Sequence, residues 1–308
     1  MVLKPDLPAS ADRKIWNRIL QAVPDDYEIP DRAFAELLKP KQIASGQEAK
    51  ICFAIVAHAN EDVLQDQVTN LRFYNPNASV VLYNGGPDPD FGKGVDIDIC
   101  PYSRPLNASY KLGRFLPDVM RWLEETGGDY EYLINLDSDY LFLNHGFETW
   151  LEHTMHGYDM MGMYLKLYRT RQDSEGWLPG ETLWAEWDRW QPFFGTDSFC
   201  GSLNGMQVYR RGLIRDMLAG FDWEQLEERL ATTNVYALEE ILCSTLAVRC
   251  GGRVRPYPID PIRYVRLGQP YTVEDVTTAR ELTDLFFIHP IEREMSDPAR
   301  QYIQRLSQ

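Results

Sequence analysis

The sequence predicts an α/β fold with a mixed, mostly parallel central sheet flanked by helices, preceded by a helical N-terminal extension. The apolar run at residues 51–57 is typical of a parallel strand buried on both faces. A helical pattern and a second apolar run at residues 79–83 follow it, as in a βαβ unit. A third apolar run, at residues 130–136, ends abruptly in acidic residues.

The composition is that of an ordinary globular protein with an excess of acid. The chain has 308 residues, of which 44% are hydrophobic and 25% charged, and it carries a formal net charge of -15. This charge argues against a nucleic-acid partner and against electrostatic attachment to anionic lipid, because both surfaces would repel the chain. An anionic diphosphate ligand would therefore need a metal ion or a local basic cluster.

The cysteines and the apolar segments predict a cytoplasmic protein. The five cysteines form no close-spaced pair of the zinc or redox type, so we expect reduced, packed thiols. No segment approaches the length of a membrane span, and the N-terminus lacks a signal-peptide pattern. The sequence does not predict an oligomeric state.

The first 49 residues form the predicted helical N-terminal extension. Ser10 or Asp12 is placed to cap a first helix, and Asp31 is placed to cap a second that ends at Pro40. Both helices carry apolar residues at helical spacing. We expect them to pack on the outside of the main domain, which begins at residue 50.

The strand ends of the βαβ unit are candidate ligand-binding positions. The helix between the two strands runs to about residue 75 and is stopped by Pro76. Ligands of open α/β sheets bind at the carboxyl ends of the strands. The first strand ends at Ala57 and His58, and the second at Tyr83 and Asn84. The alternatives are ordinary turn chemistry for Tyr83 and Asn84 and a helix cap for His58.

A weak edge strand at residues 95–100 precedes a predicted helix over residues 107–125. Pro117 within that helix implies a kink or a late start. Lys111 and Arg114 fall in its first turns, where they are candidate contacts for an anionic ligand. The alternative is that both side chains are solvated.

The strongest candidate site consists of Asp137 and Asp139, which directly follow the third strand. Residues two apart on an extended chain face the same side, so the two carboxylates can converge on one point. Paired carboxylate oxygens suit Mg²⁺ or Mn²⁺, and substrate phosphates commonly complete such sites. The alternative is a turn with two solvated aspartates.

A strand that ends in Asp-x-Asp, follows a βαβ-like segment and precedes a helix resembles the GT-A glycosyltransferases, over roughly residues 50–290. The resemblance implies a GT-A-like fold in which Asp137, Ser138 and Asp139 hold a divalent metal against the diphosphate of a nucleotide-sugar. It also implies nucleoside contacts at the first two strand ends. On this basis residues 50–308 form one glycosyltransferase domain, with a nucleotide-binding part at about 50–145 and an acceptor-binding part at about 146–308.

Residues 169–194 contain four of the eight tryptophans, after a predicted short helix at 146–153 and a strand at 159–164. Aromatic faces stack on sugar rings, and the interleaved carboxylates accept hydrogen bonds from sugar hydroxyls. We expect a long aromatic loop that serves as an acceptor platform or lid. Because Trp184, Trp187 and Trp190 are also spaced like one helix face, core packing is an equal alternative.

Residues 194–209 are rich in small side chains ahead of a strand, which permits close approach of a ligand to the backbone. The resemblance implies that Gly201, Asn204 and Gly205 line the donor sugar and that Asp197 binds its hydroxyls. The alternative is a tight turn at Asn204 and Gly205.

A helix is predicted from Asn234, as the N-cap, to the glycines at 251–252, with Glu239 and Glu240 in its early turns. The resemblance implies that one of these glutamates is the catalytic base of an inverting enzyme. The alternative is interaction with the helix dipole. The sequence does not decide between the two glutamates.

Near the C-terminus, four arginines, at 253, 255, 263 and 266, could neutralise the leaving diphosphate or pair with surface carboxylates. The apolar run at 282–288 then ends in His289. The resemblance implies a third metal ligand here, and imidazole suits Mn²⁺ beside two carboxylates. Asp297 and Pro298 begin a last predicted helix that runs to Leu306.

The sequence thus predicts a metal-dependent glycosyltransferase of the hexosyl or N-acetylhexosaminyl type. A nucleotide-sugar, most commonly a UDP-sugar, would donate to a carbohydrate or glycoconjugate hydroxyl, with inversion favoured. One alternative is a haloacid-dehalogenase-like phosphohydrolase with Asp137 as its nucleophile. Another is a non-catalytic carbohydrate-binding protein on the same fold.

Overall fold

The computed structural model of the protein describes residues 36–41, 50–106 and 109–307, with the side chains of 109–111 outside this description. The strands are β1 (Ile51–Ala57), β2 (Ser79–Asn84), β3 (Asp98–Ile99), β4 (Tyr132–Asp137), β5 (Leu141–Phe142), β6 (Met160–Gly162), β7 (Lys166–Tyr168), β8 (Phe199–Gly201), β9 (Val208–Arg210), β10 (Val254–Pro256) and β11 (Phe287–Ile288).

The helices lie between and after these strands. They are α1 (Glu61–Tyr74), α2 (Phe115–Glu125), α3 (Phe147–Thr154), α4 (Leu178–Ala185), α5 (Trp187–Phe194), α6 (Arg211–Ala219), α7 (Trp223–Thr232), α8 (Leu242–Arg249), α9 (Ile259–Ile262), α10 (Val273–Arg280) and α11 (Pro298–Leu306). Short 3₁₀ turns occur at Ser109–Arg114, Arg171–Ser174 and Leu238–Glu240.

Seven strands form the central sheet, in the order β10-β6-β9-β4-β1-β2-β3. Within it β9 is antiparallel to both of its neighbours, and the other pairs are parallel. Helices cover both faces of the sheet. The side chains of β1 point alternately into two hydrophobic cores, one on each face. Cys52 and Ala54 belong to one hydrophobic cluster, and Phe53 and Ile55 belong to the other. The predicted fold class, a mostly parallel sheet flanked by helices, is confirmed.

A small antiparallel sheet places the C-terminal segment beside the end of β4. Strand β5 pairs with β11, with Leu141 opposite Ile288. Since β5 begins two residues after Asp139 and β11 ends one residue before His289, this pairing brings the two segments together. A second antiparallel pair joins β7 to β8.

Several predicted elements are shorter than the sequence pattern indicates. The edge strand at 95–100 is reduced to Asp98–Ile99, the strand at 159–164 to Met160–Gly162, and the last strand to Phe287–Ile288. Helix α2 starts late, so that Pro117 lies in its first turn, where proline costs no hydrogen bond. The prediction of a long aromatic loop is wrong: residues 171–194 form a 3₁₀ turn, α4 and α5.

The predicted helices of the N-terminal extension lie almost wholly outside the described residues, and the division at residue 50 stays a prediction. Residues 36–41 contact the main domain, where the Lys41 ammonium lies 2.6 Å from the Asp159 carboxylate. None of the helices in the described ranges is long and apolar enough to cross a membrane. All five cysteines are free, and four of them are buried.

Candidate metal centre

The carboxyl ends of three neighbouring parallel strands meet at one edge of the sheet. In the strand register, Ala57 of β1 lies opposite Asn84 of β2, and Val56 lies opposite Asp137 of β4. These pairs lie at or next to the last residue of each strand, so the parallel register puts the three strand ends side by side. Asp137 therefore emerges at the ligand-binding edge of the sheet.

Asp137, Asp139 and His289 form a compact cluster of possible metal ligands. One ligand atom from each residue lies within 4.8 Å of the others, and the three residues together offer one nitrogen and two carboxylates. Two carboxylates with one imidazole form a donor set that suits Mn²⁺ or Mg²⁺. The pairing of β5 with β11 brings these three predicted ligands together from segments about 150 residues apart.

The protein orients His289 toward Asp139. Nδ1 of His289 lies 3.1 Å from the carbonyl oxygen of Arg266, which can only accept, so Nδ1 is the donor of this contact and Nε2 is the nitrogen that faces the aspartates. Nε2 in turn lies 3.4 Å from Oδ1 of Asp139. That oxygen is buried and has no hydrogen-bond partner among the described residues. With Nε2 deprotonated, the imidazole and the two carboxylates would present their ligand atoms to one point, so the residues present fit a divalent metal.

Asn204 restrains the other carboxylate. Its amide donates to Oδ1 and Oδ2 of Asp137, at 3.3 and 3.2 Å, while its own oxygen accepts a hydrogen bond from Asn135 at 2.8 Å. Asn135 belongs to β4 itself. The resemblance placed Asn204 at the donor sugar, whereas in the structure its amide contacts a predicted metal ligand.

Arg293 contacts the cluster although the sequence analysis missed it. Its guanidinium donates to Oδ2 of Asp139 at 3.0 Å, and 44% of the side chain remains exposed. The available signal was the position of a basic residue four places after His289 in a strongly acidic chain. Arg293 therefore supplies an accessible positive charge at the site.

The pKa values of the two aspartates are shifted in opposite directions. Burial, with a contribution from the charge on Asp139, raises the pKa of Asp137. Burial also acts to raise the pKa of Asp139, but His289 and Arg293 outweigh it and hold that pKa below its usual range. Two carboxylates held together in a poorly solvated place repel each other, and a divalent cation would relieve that repulsion.

Glu239 and Glu240 lie in a 3₁₀ turn (Leu238–Glu240) rather than at the start of an α-helix. Asn234 caps neither this turn nor helix α8. The Asn234 N–H instead donates to Glu186. This turn is docked on the loop that carries Asn204, since the Ser202 N–H donates to the Glu240 carbonyl at 2.8 Å.

The two glutamates differ in environment. Burial raises the pKa of Glu239 well above its usual value, and Oε2 of Glu239 has no hydrogen-bond partner among the described residues. Burial raises the pKa of Glu240 to about 7. Hydrogen bonds to this carboxylate from the Asn204 backbone N–H and the Trp177 side chain act in the opposite direction and lower the pKa.

Three of the predicted ligand-binding side chains are engaged within the protein. Tyr83 is fully buried and donates its hydroxyl hydrogen to Asp118 at 3.1 Å. Arg114 is also buried and pairs with Asp118 and Glu227. Asn84 accepts a hydrogen bond from the Gly86 N–H at 2.9 Å, which is the turn chemistry weighed as its alternative. These side chains serve the protein's own packing and turns.

The other predicted positions differ in their exposure to solvent. Ala57 is buried, His58 is exposed, and Asp197 is exposed and accepts a hydrogen bond from Gln191. Ser138 is buried between the two aspartates. The side chain of Lys111 lies outside the described part of the chain.

Gly201 and Gly205 permit close packing by aromatic rings. A Cβ on Gly201 would lie 2.4 Å from Trp177, and one on Gly205 would lie 2.6 Å from Tyr140. Gly205 also has a φ of +85°, which disfavours other residues. The absence of a side chain at these two positions leaves room for the aromatic rings of Trp177 and Tyr140.

The tryptophans of residues 169–194 pack mainly inward. Trp190 is fully buried and Trp184 is 6% exposed, while Trp177 stacks on Tyr168 with ring centroids 4.6 Å apart. Among these rings, Trp177 links the aromatic cluster to Glu240.

The four C-terminal arginines do not converge on the metal centre. Arg253 donates to the Glu36 carbonyl, Arg255 donates to the Thr154 carbonyl, and Arg263 pairs with Asp260 and Asp284. The Arg266 guanidinium stacks 3.6 Å from the centre of the Tyr271 ring. Arg266 reaches a site residue through its backbone, since its carbonyl oxygen lies 3.1 Å from Nδ1 of His289.

No protein-family model matches the chain, and no curated protein matches it. Solved structures do match. Core-mannan synthase A from Aspergillus fumigatus, in an Mn/GDP form, is 11% identical, with a TM-score of 0.38 over 72% of this chain and 80% of that one.

Two further matches carry glycosyltransferase names. The glycosyltransferase GlyE from Streptococcus pneumoniae is 11% identical, with a TM-score of 0.42 over 84% of this chain and 60% of that one. A mannosyltransferase from Pyrobaculum calidifontis, solved with GDP-Man and Mn²⁺, is 13% identical, with a TM-score of 0.38 over 74% and 60%. These names agree with the GT-A resemblance. Because all three TM-scores are below 0.5, the function proposed below depends on the side chains of this chain.

Proposed function

We propose that this protein transfers a sugar from a nucleotide-sugar to an acceptor hydroxyl with the help of a divalent metal ion. The observation that carries the proposal is the cluster of Asp137, Asp139 and His289 at the carboxyl edge of a parallel sheet. Oδ1 of Asp139, which is buried, has no hydrogen-bond partner among the described residues and lies 3.4 Å from Nε2 of His289, supports a bound cation. Mn²⁺ and Mg²⁺ both suit this donor set.

The ion, when bound, supplies Lewis-acid stabilisation of the charge on a departing diphosphate. Asp137, Asp139 and His289 would hold it, and Asn204 fixes the orientation of the Asp137 carboxylate. Arg293 adds a fixed positive charge next to Asp139, where it can meet phosphate oxygens. In a chain of net charge -15, such local charge is needed for an anionic donor to bind.

We place the nucleoside at the ends of β1 and β2, over Ala57, the exposed His58 and the turn at Asn84. Open sheets bind ligands in this crevice, beside the strand that carries the phosphate-binding group. Asp197, Gly201 and Gly205 remain our proposed surroundings of the donor sugar. A UDP-sugar is our first choice of donor, and the transferred group is a hexose or an N-acetylhexosamine.

We propose Glu240 as the general base and inversion as the stereochemical course. A base works best when its pKa lies near the working pH, and the pKa of Glu240 is about 7. Glu239 is less suitable, because burial raises its pKa well above the usual value and leaves Oε2 without a hydrogen-bond partner among the described residues. Glu240 also accepts a hydrogen bond from Trp177, whose ring could support a sugar acceptor.

The phosphohydrolase alternative has less support. Among the described side chains, the contacts of Asp137 and Asp139 come from Asn204, His289 and Arg293, and none comes from a lysine.

Titration calorimetry with a panel of UDP- and GDP-sugars, with and without Mn²⁺, tests the proposal. We expect at least one donor to bind only when Mn²⁺ is present, and the Asp139→Asn variant to lose that binding. This variant keeps the size of the side chain while removing its charge. Metal-independent binding, or release of phosphate from a simple phosphoester, would contradict the proposal.

A further inference from the structure

A fully buried arginine, Arg300 on α11, makes three contacts near the metal centre. Its Nη1 lies 2.8 Å from Oδ2 of Asp66, Nε donates to the Glu292 carbonyl at 2.8 Å, and Nη2 donates to the Ser138 carbonyl at 3.4 Å. The side chain has 0% exposure. A single rigid guanidinium therefore binds three different segments of the chain.

Two of these segments carry the proposed metal ligands. Ser138 lies between Asp137 and Asp139, and Glu292 lies three residues after His289. A backbone hydrogen bond also joins them, from the Ile291 N–H to the Asp139 carbonyl at 3.0 Å. Arg300 thus links the Asp-x-Asp turn to the histidine segment through the backbone carbonyls of Ser138 and Glu292 rather than through the three ligand side chains.

The third segment is α1, whose buried polar face holds the same turn. Gln67 donates to the carbonyls of Asp137 and Tyr140, at 2.8 and 3.0 Å. Asn70 donates to the Phe142 carbonyl and accepts from the Phe142 N–H. Because Asp66 lies on this helix, the ion pair with Arg300 ties α11 to the element that supports residues 137–142.

A gain in folding stability is a poor explanation for the buried ion pair between Arg300 and Asp66. Burial raises the pKa of Asp66 although Arg300 acts to lower it, so desolvation of the carboxylate outweighs the attraction. Buried ion pairs are often no more stable than well-packed apolar residues of the same size. What arginine adds is a planar fork that binds several acceptors in a fixed geometry, which lysine lacks.

We propose that Arg300 is a positioning residue that sets the metal affinity by holding the Asp-x-Asp turn and the His289 segment at a fixed separation. This inference rests on the metal site of the proposed function. Residues that orient metal ligands typically change affinity by about 10- to 100-fold when they are replaced.

The test measures the Mn²⁺ dissociation constant by electron paramagnetic resonance, and the apo-protein melting temperature by circular dichroism, for two variants. Arg300→Lys keeps a cation for Asp66 but loses the fork. The double variant Arg300→Met with Asp66→Asn removes both charges, so that neither is left buried and unpaired. We expect each to weaken Mn²⁺ binding about 10-fold or more while the apo protein still melts cooperatively.

The matched control is the double variant Arg211→Met with Glu124→Gln. It removes a partly buried pair, with the Arg211 Nε 2.6 Å from Glu124, at the other end of β4, where the Arg211 N–H bonds to the Glu131 carbonyl. We expect its Mn²⁺ affinity to match the wild type within about twofold, a margin well inside the change expected for ligand-orienting residues.

Unchanged Mn²⁺ affinity in a folded Arg300 variant would overturn the inference, as would an equal loss in the control. Loss of cooperative folding in both Arg300 variants would also overturn it, since the arginine would then serve the whole fold. If the wild type binds Mn²⁺ and His289→Ala abolishes that binding, the proposed site stands whatever Arg300 does. A wild type that binds no Mn²⁺ would remove both proposals.

Discussion

The imidazole of His289 stacks on the ring of Tyr140, with centroids 4.2 Å apart and planes inclined by 23°. Tyr140 is fully buried and follows Asp139 directly in the chain. The ring of Tyr140, which follows the proposed ligand Asp139 in the chain, therefore supports the proposed ligand His289. Gly205 completes the arrangement, because a larger residue there would collide with the tyrosine ring.

Replacing Tyr140 with leucine should weaken Mn²⁺ binding about 10-fold, because His289 loses the flat surface that orients it. We also expect a loss of about 1 to 3 kcal/mol in the free energy of unfolding, from the changed shape of the core. Calorimetric titration with Mn²⁺ and denaturant unfolding measure these effects. Tyr140→Phe is the control: it keeps the ring and should bind Mn²⁺ like the wild type. Equal losses in both variants would argue against the stacking explanation.

The rate of sugar transfer should fall as the pH drops below about 7, because the proposed base Glu240 becomes protonated. Its pKa is about 7, raised mainly by burial. The pH profile of kcat/KM at saturating Mn²⁺ measures this limb. Glu240→Gln should lower kcat by about 100-fold or more and remove the limb. Full turnover by that variant would remove Glu240 from the mechanism.

Replacing Trp177 with phenylalanine should move that limb to higher pH. Burial raises the pKa of Glu240, and the Trp177 side chain opposes this by hydrogen-bonding the carboxylate. Phenylalanine preserves the aromatic packing on Tyr168 but donates no hydrogen bond. Glu240 should then hold its proton more tightly. The same pH profile provides the measurement, and a shift to lower pH would show that the assigned contact is wrong.

The buried carboxyl of Glu240 should make the folded state less stable as the pH rises. Its pKa is about 7 in the folded state against 4.5 in the unfolded chain, so between these values the folded state binds more protons than the unfolded chain. The stability that the protonated Glu240 carboxyl contributes is fully present below pH 4.5 and is lost as the pH rises through 7.

Glu240→Gln should therefore raise the free energy of unfolding at pH 8 by about 1 to 3 kcal/mol relative to the wild type, and by much less at pH 4. Urea unfolding at the two pH values measures the difference. A gain of the same size at both would mean that the carboxylate charge is not the cause.

The sequence by itself determined the strands and the position of the acidic pair. Runs of buried apolar residues predicted β1, β2 and β4, and their parallel pairing places the ends of these strands at one edge. Asp137 and Asp139 could be singled out because they interrupt such a run. His289 could be singled out in the same way, since it follows the last apolar strand.

Only the tertiary structure decided which distant side chains meet these residues. Nothing local to Arg300 or Asn204 indicates that they contact the Asp-x-Asp turn, and nothing local to Tyr83 or Arg114 indicates that Asp118 engages them. The physical reason is that hydrophobic periodicity records which face of an element is buried. Which polar groups become partners inside depends on how separate elements pack, because each buried group must find a hydrogen-bond partner wherever the fold brings one.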